Sequence, residues 1–295
     1  MPRPLRFGIS VTPSAADYAS IREQVRVAEE AGLELVGIQD HPYQRRFLDT
    51  YSLTADLLAH TERLRFFPDV TSLPMRSPTM IAKAAASLDV MSGGRFELGL
   101  GSGNFWDAVA GMGGPRRTRP EAFAALQEAI AIIRGALDVG HERRVVRGDG
   151  PHYPVPGYPP GPAPAHRIGI WLGVYGPRGL RLVGQAGDGW VPSLAYSAPA
   201  KLAASSRAID EAARVAGRNP DDITRVLNLG GTITDGDRGD DPLTGPVEHW
   251  AATLASYATD IGIDSFIFWA PDGRIDQVRR FATDVAPAVR ERVGR

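Results

Sequence analysis

Cysteine is absent from the 295-residue chain. That excludes a cysteine nucleophile, a disulfide framework, thiolate-ligated haem and cysteine-held iron–sulfur clusters. Lysine is nearly absent: Lys83 and Lys201 are the only two, and the remaining basic residues are arginines. Both lysines fall in helical patterns away from strand ends, which argues against a Schiff base and much aldolase and pyridoxal chemistry. Excess charge of one sign is missing as well. The net charge is −1, so there is no electrostatic footprint for nucleic acid or an anionic membrane. No apolar run approaches a membrane span, and Met1 to Arg6 leads into one short apolar strand, not a signal peptide. A cytoplasmic protein is expected. Hydrophobic residues at 43% and charged residues at 23% give the balance of an ordinary globular chain, long enough for one large core.

The chain is organised around Ser92-Gly93-Gly94-Arg95-Phe96-Glu97-Leu98-Gly99-Leu100-Gly101-Ser102-Gly103-Asn104. A helix ends at Met91, and Gly93-Gly94 turns the chain. Phe96 to Leu100 reads as a short buried strand running into bare backbone at Gly101-Ser102-Gly103. Glycine at the carboxyl end of a buried strand lets a large flat group lie against the main chain.

The same strand–helix unit recurs along the chain. Strands are predicted at Leu5 to Val11, Leu33 to Gln39, Leu64 to Val70 and Phe96 to Leu100, then at Ile168 to Leu172, Gly189 to Pro192, Ile223 to Thr232 and Ser265 to Trp269. Helices fall between them. The clearest carries Phe123, Leu126, Ile130, Ile133 and Leu137 at spacings of three and four. The strands are short, apolar and without alternation, as when both faces are covered. Eight strands alternating with helices over this length favour a (β/α)8 TIM barrel, a single domain over residues 1–295, rather than an open doubly wound sheet. Insertions follow the fourth and seventh strands. A Pro- and Gly-rich excursion over residues 140–166 precedes the fifth, with Val145-Val146 as one arm of a small hairpin.

In such a barrel chemistry sits at the carboxyl ends of the strands. Asp40-His41 follows the second strand. The histidine reads as a proton shuttle, a hydrogen-bond donor to a cofactor, a metal ligand, or packing against Pro42 and Tyr43. The metal reading is weak, because the first strand supplies no paired histidine. Gly173-Val174-Tyr175-Gly176-Pro177-Arg178 follows the fifth strand and opens a helix. Bare amides, a helix amino terminus and an arginine make a phosphate cradle, against an ordinary turn with a surface arginine. Trp106 and Trp190, near strand ends, are candidates to meet a planar ligand, whereas Trp171 reads as core. Arg116-Arg117 reads as a solvated loop or a contact for an anionic tail.

The segment Leu88 to Gly103, then Gly176-Pro177-Arg178, then Gly187-Asp188-Gly189-Trp190-Val191-Pro192-Ser193, with Leu73-Pro74-Met75-Arg76-Ser77-Pro78 ahead of the third helix, resembles the bacterial luciferase-like monooxygenase superfamily along nearly the whole chain. The resemblance implies a barrel that binds reduced FMN or the deazaflavin coenzyme F420, with two-electron chemistry, either hydride transfer or monooxygenation, on a small organic substrate. Asp40 and His41 match the acid–histidine pair of the F420 branch, near the reactive edge of the ring. Asp69-Val70, with Thr71, matches a non-proline cis peptide that backs the ring. Gly101, Ser102 and Gly103 would lie along it, Gly173 to Arg178 would hold the phosphate, and Trp190 would contact the cofactor. The resemblance also implies a homodimer and, for a flavin-using enzyme, a separate reductase.

One position departs from the pattern. The sugar-phosphate dehydrogenase branch carries a glutamate acid after the fourth-strand glycines, where this chain has Asn104. Asparagine orients a carbonyl but transfers no proton at neutral pH. That branch's phosphate-binding lysines are missing too, so a sugar phosphate is disfavoured. His41 and Asn104 are the expected catalytic residues, His41 alone carrying the proton, with no metal. The alternatives are a flavin-binding barrel without turnover and a phosphate-binding isomerase or lyase.

Overall fold

The computed structural model describes residues 3–138, 145–239 and 241–294. Its first half alternates β1 (Arg6–Val11), α1 (Tyr18–Glu30), β2 (Leu35–Ile38), α2 (Thr50–Ala59), β3 (Arg65–Pro68), β4 (Thr71–Ser72), α3 (Pro78–Ser92), β5 (Leu98–Gly101), α4 (Trp106–Gly111) and α5 (Arg119–Leu137). A hairpin of β6 (Val146–Gly148) and β7 (Val155–Tyr158) follows. The second half runs β8 (Ile170–Leu172), α6 (Pro177–Ala186), β9 (Gly189–Trp190), α7 (Pro199–Val215), β10 (Thr224–Gly230), β11 (Thr232–Ile233) and β12 (Thr244–Gly245). It closes with α8 (Val247–Ser256), β13 (Ser265–Trp269), α9 (Ile275–Arg280) and α10 (Ala286–Val293).

Nine strands form one parallel sheet in the order β3-β2-β1-β13-β10-β9-β8-β5-β4. The two ends of that order are consecutive in the chain, so the sheet curls into a TIM barrel. Its third stave is broken. β3 pairs with β2 and β4 pairs with β5, and between them lies the cis peptide Asp69–Val70. A bridge from Phe66 to Phe96 closes the seam. The stave predicted over Leu64 to Val70 therefore ends at Pro68 and resumes with a different neighbour.

Residue parity along the strands sorts the core into two layers. Leu35, Phe67, Trp171, Val191, Val226 and Ile267 fill the barrel, while Phe7, Ile9 and Val11 of β1 face the helices. Trp171 is core, as its strand position suggests. Helix ends follow local chemistry. Ser77 accepts the Met80 N–H ahead of Pro78, and Gly93 ends α3 in the left-handed region. Thr118 and Glu121 form a reciprocal capping box on α5.

The connections differ from plain loops. The stretch after β5 contains α4, and the stretch after β10 contains the β11–β12 ladder. Of the 140–166 excursion, residues 140–144 lie outside the described residues, and the remainder carries the hairpin. No helix among the described residues is long and apolar enough to cross a membrane.

Candidate active site

A cleft of about 580 Å³ opens at the carboxyl ends of β2, β4, β5 and β8. It brings together His41, Val70, Thr71, Asn104 and the Gly173–Arg178 turn, residues spread over more than 130 positions of the chain. Asp40, Gly101, Ser102 and Gly103 belong to the same lining.

Asp40 and His41 are adjacent in sequence but serve different partners. Asp40 is buried, and Arg76 clamps it through Nε and Nη2 at 3.1 and 3.0 Å. The Ser72 N–H adds a third bond at 3.0 Å. The carboxylate thus ties β2 to the segment after β4, and its lone pairs are committed to that task. Arg76 in turn lies over the Tyr51 ring, 4.5 Å from its centroid.

His41 sits in an aromatic corner. Its Nδ1 lies 2.7 Å from the Tyr43 hydroxyl. The Phe105 ring stands edge-on to it at 5.9 Å and also meets Tyr43 at 5.9 Å. Burial pushes the His41 imidazole below its ordinary value, against a smaller opposing pull from Asp40. Burial, with Asp40 adding to it, pushes the Tyr43 phenol up to about 12. Phe105 is 56% exposed and holds a left-handed backbone conformation, φ 53°, at the start of α4. That is uncommon for a bulky residue, and no sequence signal predicts it.

The glycines at the strand ends have an occupant within the chain. A Cβ built on Gly101 or on Gly173 would lie 2.8 Å from Cγ2 of Val70. The bare backbone therefore makes room for the Val70 side chain, which in turn floors the cleft. Gly101 and Gly173 line the cleft beside it.

The Gly173–Arg178 turn leads directly into α6, with Gly176 as N-cap and Pro177 in the first turn. Gly176 has no side chain to offer, so the first-turn N–H groups of Arg178 and Gly179 have no intrahelical acceptor. The Arg178 guanidinium stacks 4.4 Å from the Phe123 centroid on the cleft wall, and among the described residues no carboxylate pairs with it. Tyr175 accepts the Ser193 N–H at 3.0 Å.

Three expected contacts fall elsewhere. Trp190 is 1% exposed and donates its indole N–H to the Val174 carbonyl at 2.8 Å. It braces the turn from the helix side and does not line the cleft. Asp69 turns into the barrel and accepts the Asn228 amide at 3.0 Å, also off the cleft wall. Arg117 is neither solvated nor on an anion. It is buried, donates to the Tyr153 hydroxyl at 2.9 Å and lies over that ring. Arg116 pairs with Asp107. Among the described residues no group of three or more His, Asp or Glu side chains could hold a metal ion.

A family model described as luciferase-like monooxygenase matches residues 4–238. The chain is 29% identical over 226 residues to 5,10-methylenetetrahydromethanopterin reductase of Archaeoglobus fulgidus, a match covering 75% of this chain and 62% of that protein. It is 30% identical over 283 residues to F420-dependent glucose-6-phosphate dehydrogenase of Nocardia farcinica, covering 92% of this chain and 76% of the relative. Among solved structures, an F420-dependent secondary alcohol dehydrogenase bound to an F420–acetone adduct superposes with a TM-score of 0.83. The identity there is 18%, over 97% of this chain and 99% of that one, so the likeness is one of fold.

Proposed function

The chain belongs to the luciferase-like monooxygenase family, and from that premise we propose that it is an oxidoreductase using coenzyme F420 for hydride transfer with a small organic substrate. The observation that carries the reading is the pairing, in one cleft, of a histidine whose burial favours its neutral form with the uncapped amino terminus of α6. The curated relatives it resembles include an F420-dependent dehydrogenase.

The residues present fit such a cofactor. The first-turn amides of α6 and the Arg178 guanidinium would hold its anionic tail. Val70 and Thr71 would back its ring. When bound, the cofactor supplies two-electron chemistry at the central position of that ring.

His41 holds the proton. The Tyr43 phenol stays protonated at working pH, because its ionisation lies near 12. Its oxygen can accept the Nδ1–H, which leaves the lone pair of neutral His41 on Nε2. Neutral His41 then presents its Nε2 lone pair to a substrate hydroxyl: as hydride leaves the alcohol carbon, Nε2 takes the hydroxyl proton and the ring becomes imidazolium, and in the reverse direction it returns that proton to the carbonyl oxygen. Phe105 and Tyr43 shield the ring from water and keep it neutral. Asn104 lines the same cleft and is suited to orient a carbonyl.

Asn104 stands where the sugar-phosphate branch has its acid, so the substrate assigned here is not a sugar phosphate. Titrating the protein with FMN and coenzyme F420 in parallel, following fluorescence quenching, tests the reading. Tight quenching of F420 is the expected result, and failure of both to bind would refute it.

A further inference from the structure

Three buried polar atoms lack a hydrogen-bond partner among the described residues: Ser10 Oγ, Asp69 Oδ2 and Asn228 Oδ1. Two of them belong to one pair. The Asn228 amide donates to Asp69 Oδ1 at 3.0 Å, which leaves the other oxygen of each group bare. An ionised carboxylate only accepts, so a charged Asp69 would leave two buried acceptors without a donor. Such groups are rare and costly. A single proton removes the problem, since a neutral carboxyl and a primary amide can share two hydrogen bonds, one N–H and one O–H.

The surroundings give a charge no support. Asp69 as a residue is half-buried, but its Oδ2 is shut off from solvent, and the burial of the carboxyl pushes it up to about 7, opposed only by the Asn228 bond. From β2 it meets Gly37, where a Cβ would lie 3.0 Å from Asp69 Oδ2, and the Phe67 ring packs at the same point. From β10 comes Asn228. From the β8–α6 turn comes Tyr175, whose phenol is itself pushed up to about 12, first by burial and then by Asp69 among other groups. Among the described residues no arginine, lysine or histidine acts on Asp69.

We propose that Asp69 is a neutral carboxylic acid paired with Asn228 behind Val70, and that loss of its proton weakens the cleft's hold on an anionic ligand. The first half stands on the buried pair alone; the second rests on reading the cleft as a cofactor site. Val70 and Thr71, the next residues in the chain, line the cleft. A new negative charge behind them, in a region of low dielectric, opposes an anion in front. It also breaks the acid–amide pair that fixes the main chain at that point. Asp69 is thus a positioning residue.

The test uses the unliganded protein with carbon-13-labelled aspartate carboxyls, followed by NMR across pH. One carboxyl should keep an acid-type shift into the neutral range, and it should be missing in Asp69→Asn. An Asp69 signal already at its carboxylate position in mild acid would overturn the pair. Coenzyme F420 is then titrated into wild type and Asp69→Asn across about two pH units spanning neutrality, with FMN in parallel. Wild-type affinity should fall by up to about tenfold per pH unit more than that of the variant, as one-proton linkage requires. Equal slopes would overturn the second half. Asp69→Ser serves as a smaller neutral replacement should Asp69→Asn not fold. If FMN and F420 bind at no pH, the functional reading and the second half fall together, while the carboxyl titration still decides the pair.

Discussion

Gly101→Ala is the substitution whose cost can be worked from coordinates. The added methyl would sit 2.8 Å from Val70 Cγ2. Carbon atoms rest at about 3.5–4.0 Å, so the overlap is close to an ångström. Val70 has little room to retreat, because the main chain of Gly173 and Gly99 closes in on it from other sides, near enough that a Cβ built there would lie 2.8 Å from the same methyl and 3.1 Å from Cγ1. Overpacking of this kind costs about 1–3 kcal/mol, or a melting point lower by several degrees for a chain of this size. The displaced Val70 would also intrude on the cleft it floors and weaken cofactor binding. Val70→Ala removes the clashing methyls. If the glycines exist to house Val70, Gly101→Ala should cost at least about 1 kcal/mol less in the Val70→Ala background, and cofactor affinity should recover with it. Denaturation midpoints and quenching titrations on the four proteins of the cycle measure both. Additivity to within about 0.3–0.5 kcal/mol would refute the reasoning and return the glycines to direct contact with a ligand.

His41→Ala should leave F420 binding largely intact and cut turnover by about 10²–10⁴-fold; stopped-flow reduction of the bound cofactor measures it, and unchanged turnover removes His41 from the mechanism. Arg178→Ala should weaken F420 binding by about tenfold, with a smaller effect at high salt, and an unaltered affinity would show that the tail lies elsewhere. His166 supplies a pH-dependent contribution to stability at the opposite, amino-terminal end of the barrel. Its imidazole is raised first by the Glu97 hydrogen bond and also by Asp89. A raised folded-state value means that the stabilisation is complete below the ordinary value of 6.5 and is lost as pH climbs through the folded-state value. Urea midpoints of wild type should therefore fall across that range more steeply than those of His166→Gln, and parallel curves would contradict the assignment.

Much of the barrel is written in the sequence because a strand covered on both faces is a short apolar run between turn residues. Ser265 to Trp269 shows this without ambiguity, and the observed strand has those ends. The third stave shows where the signal stops. Leu64 to Val70 reads as continuous, yet the chain changes neighbours at Asp69–Val70, and strand pairing leaves no mark in a local apolar pattern. The helix α4 escaped notice because six residues are too few to display a period, and its first turn depends on the left-handed backbone of Phe105. Trp190 could have been placed correctly. Val191 faces the barrel interior, so its neighbour faces the helices, since side chains alternate along a strand. Treating a large aromatic at a strand end as a ligand contact ignored that parity.

The histidine site carries the same point into electrostatics. Adjacency in sequence suggests that Asp40 and His41 act as an acid–histidine pair, which would raise the imidazole. In the fold, consecutive residues leave the strand on different sides. Asp40 goes to Arg76, which satisfies its charge, and His41 goes to Tyr43 and Phe105. Burial then outweighs the residual pull of Asp40, and the imidazole moves down instead of up. Arg76, which takes up the Asp40 carboxylate, lies 36 positions along the chain in the turn before α3. A neutral histidine beside a cationic helix terminus suits a site that must hold an anionic cofactor and still manage a proton. Neither property is visible in the dipeptide, because each depends on which distant side chain takes up the carboxylate.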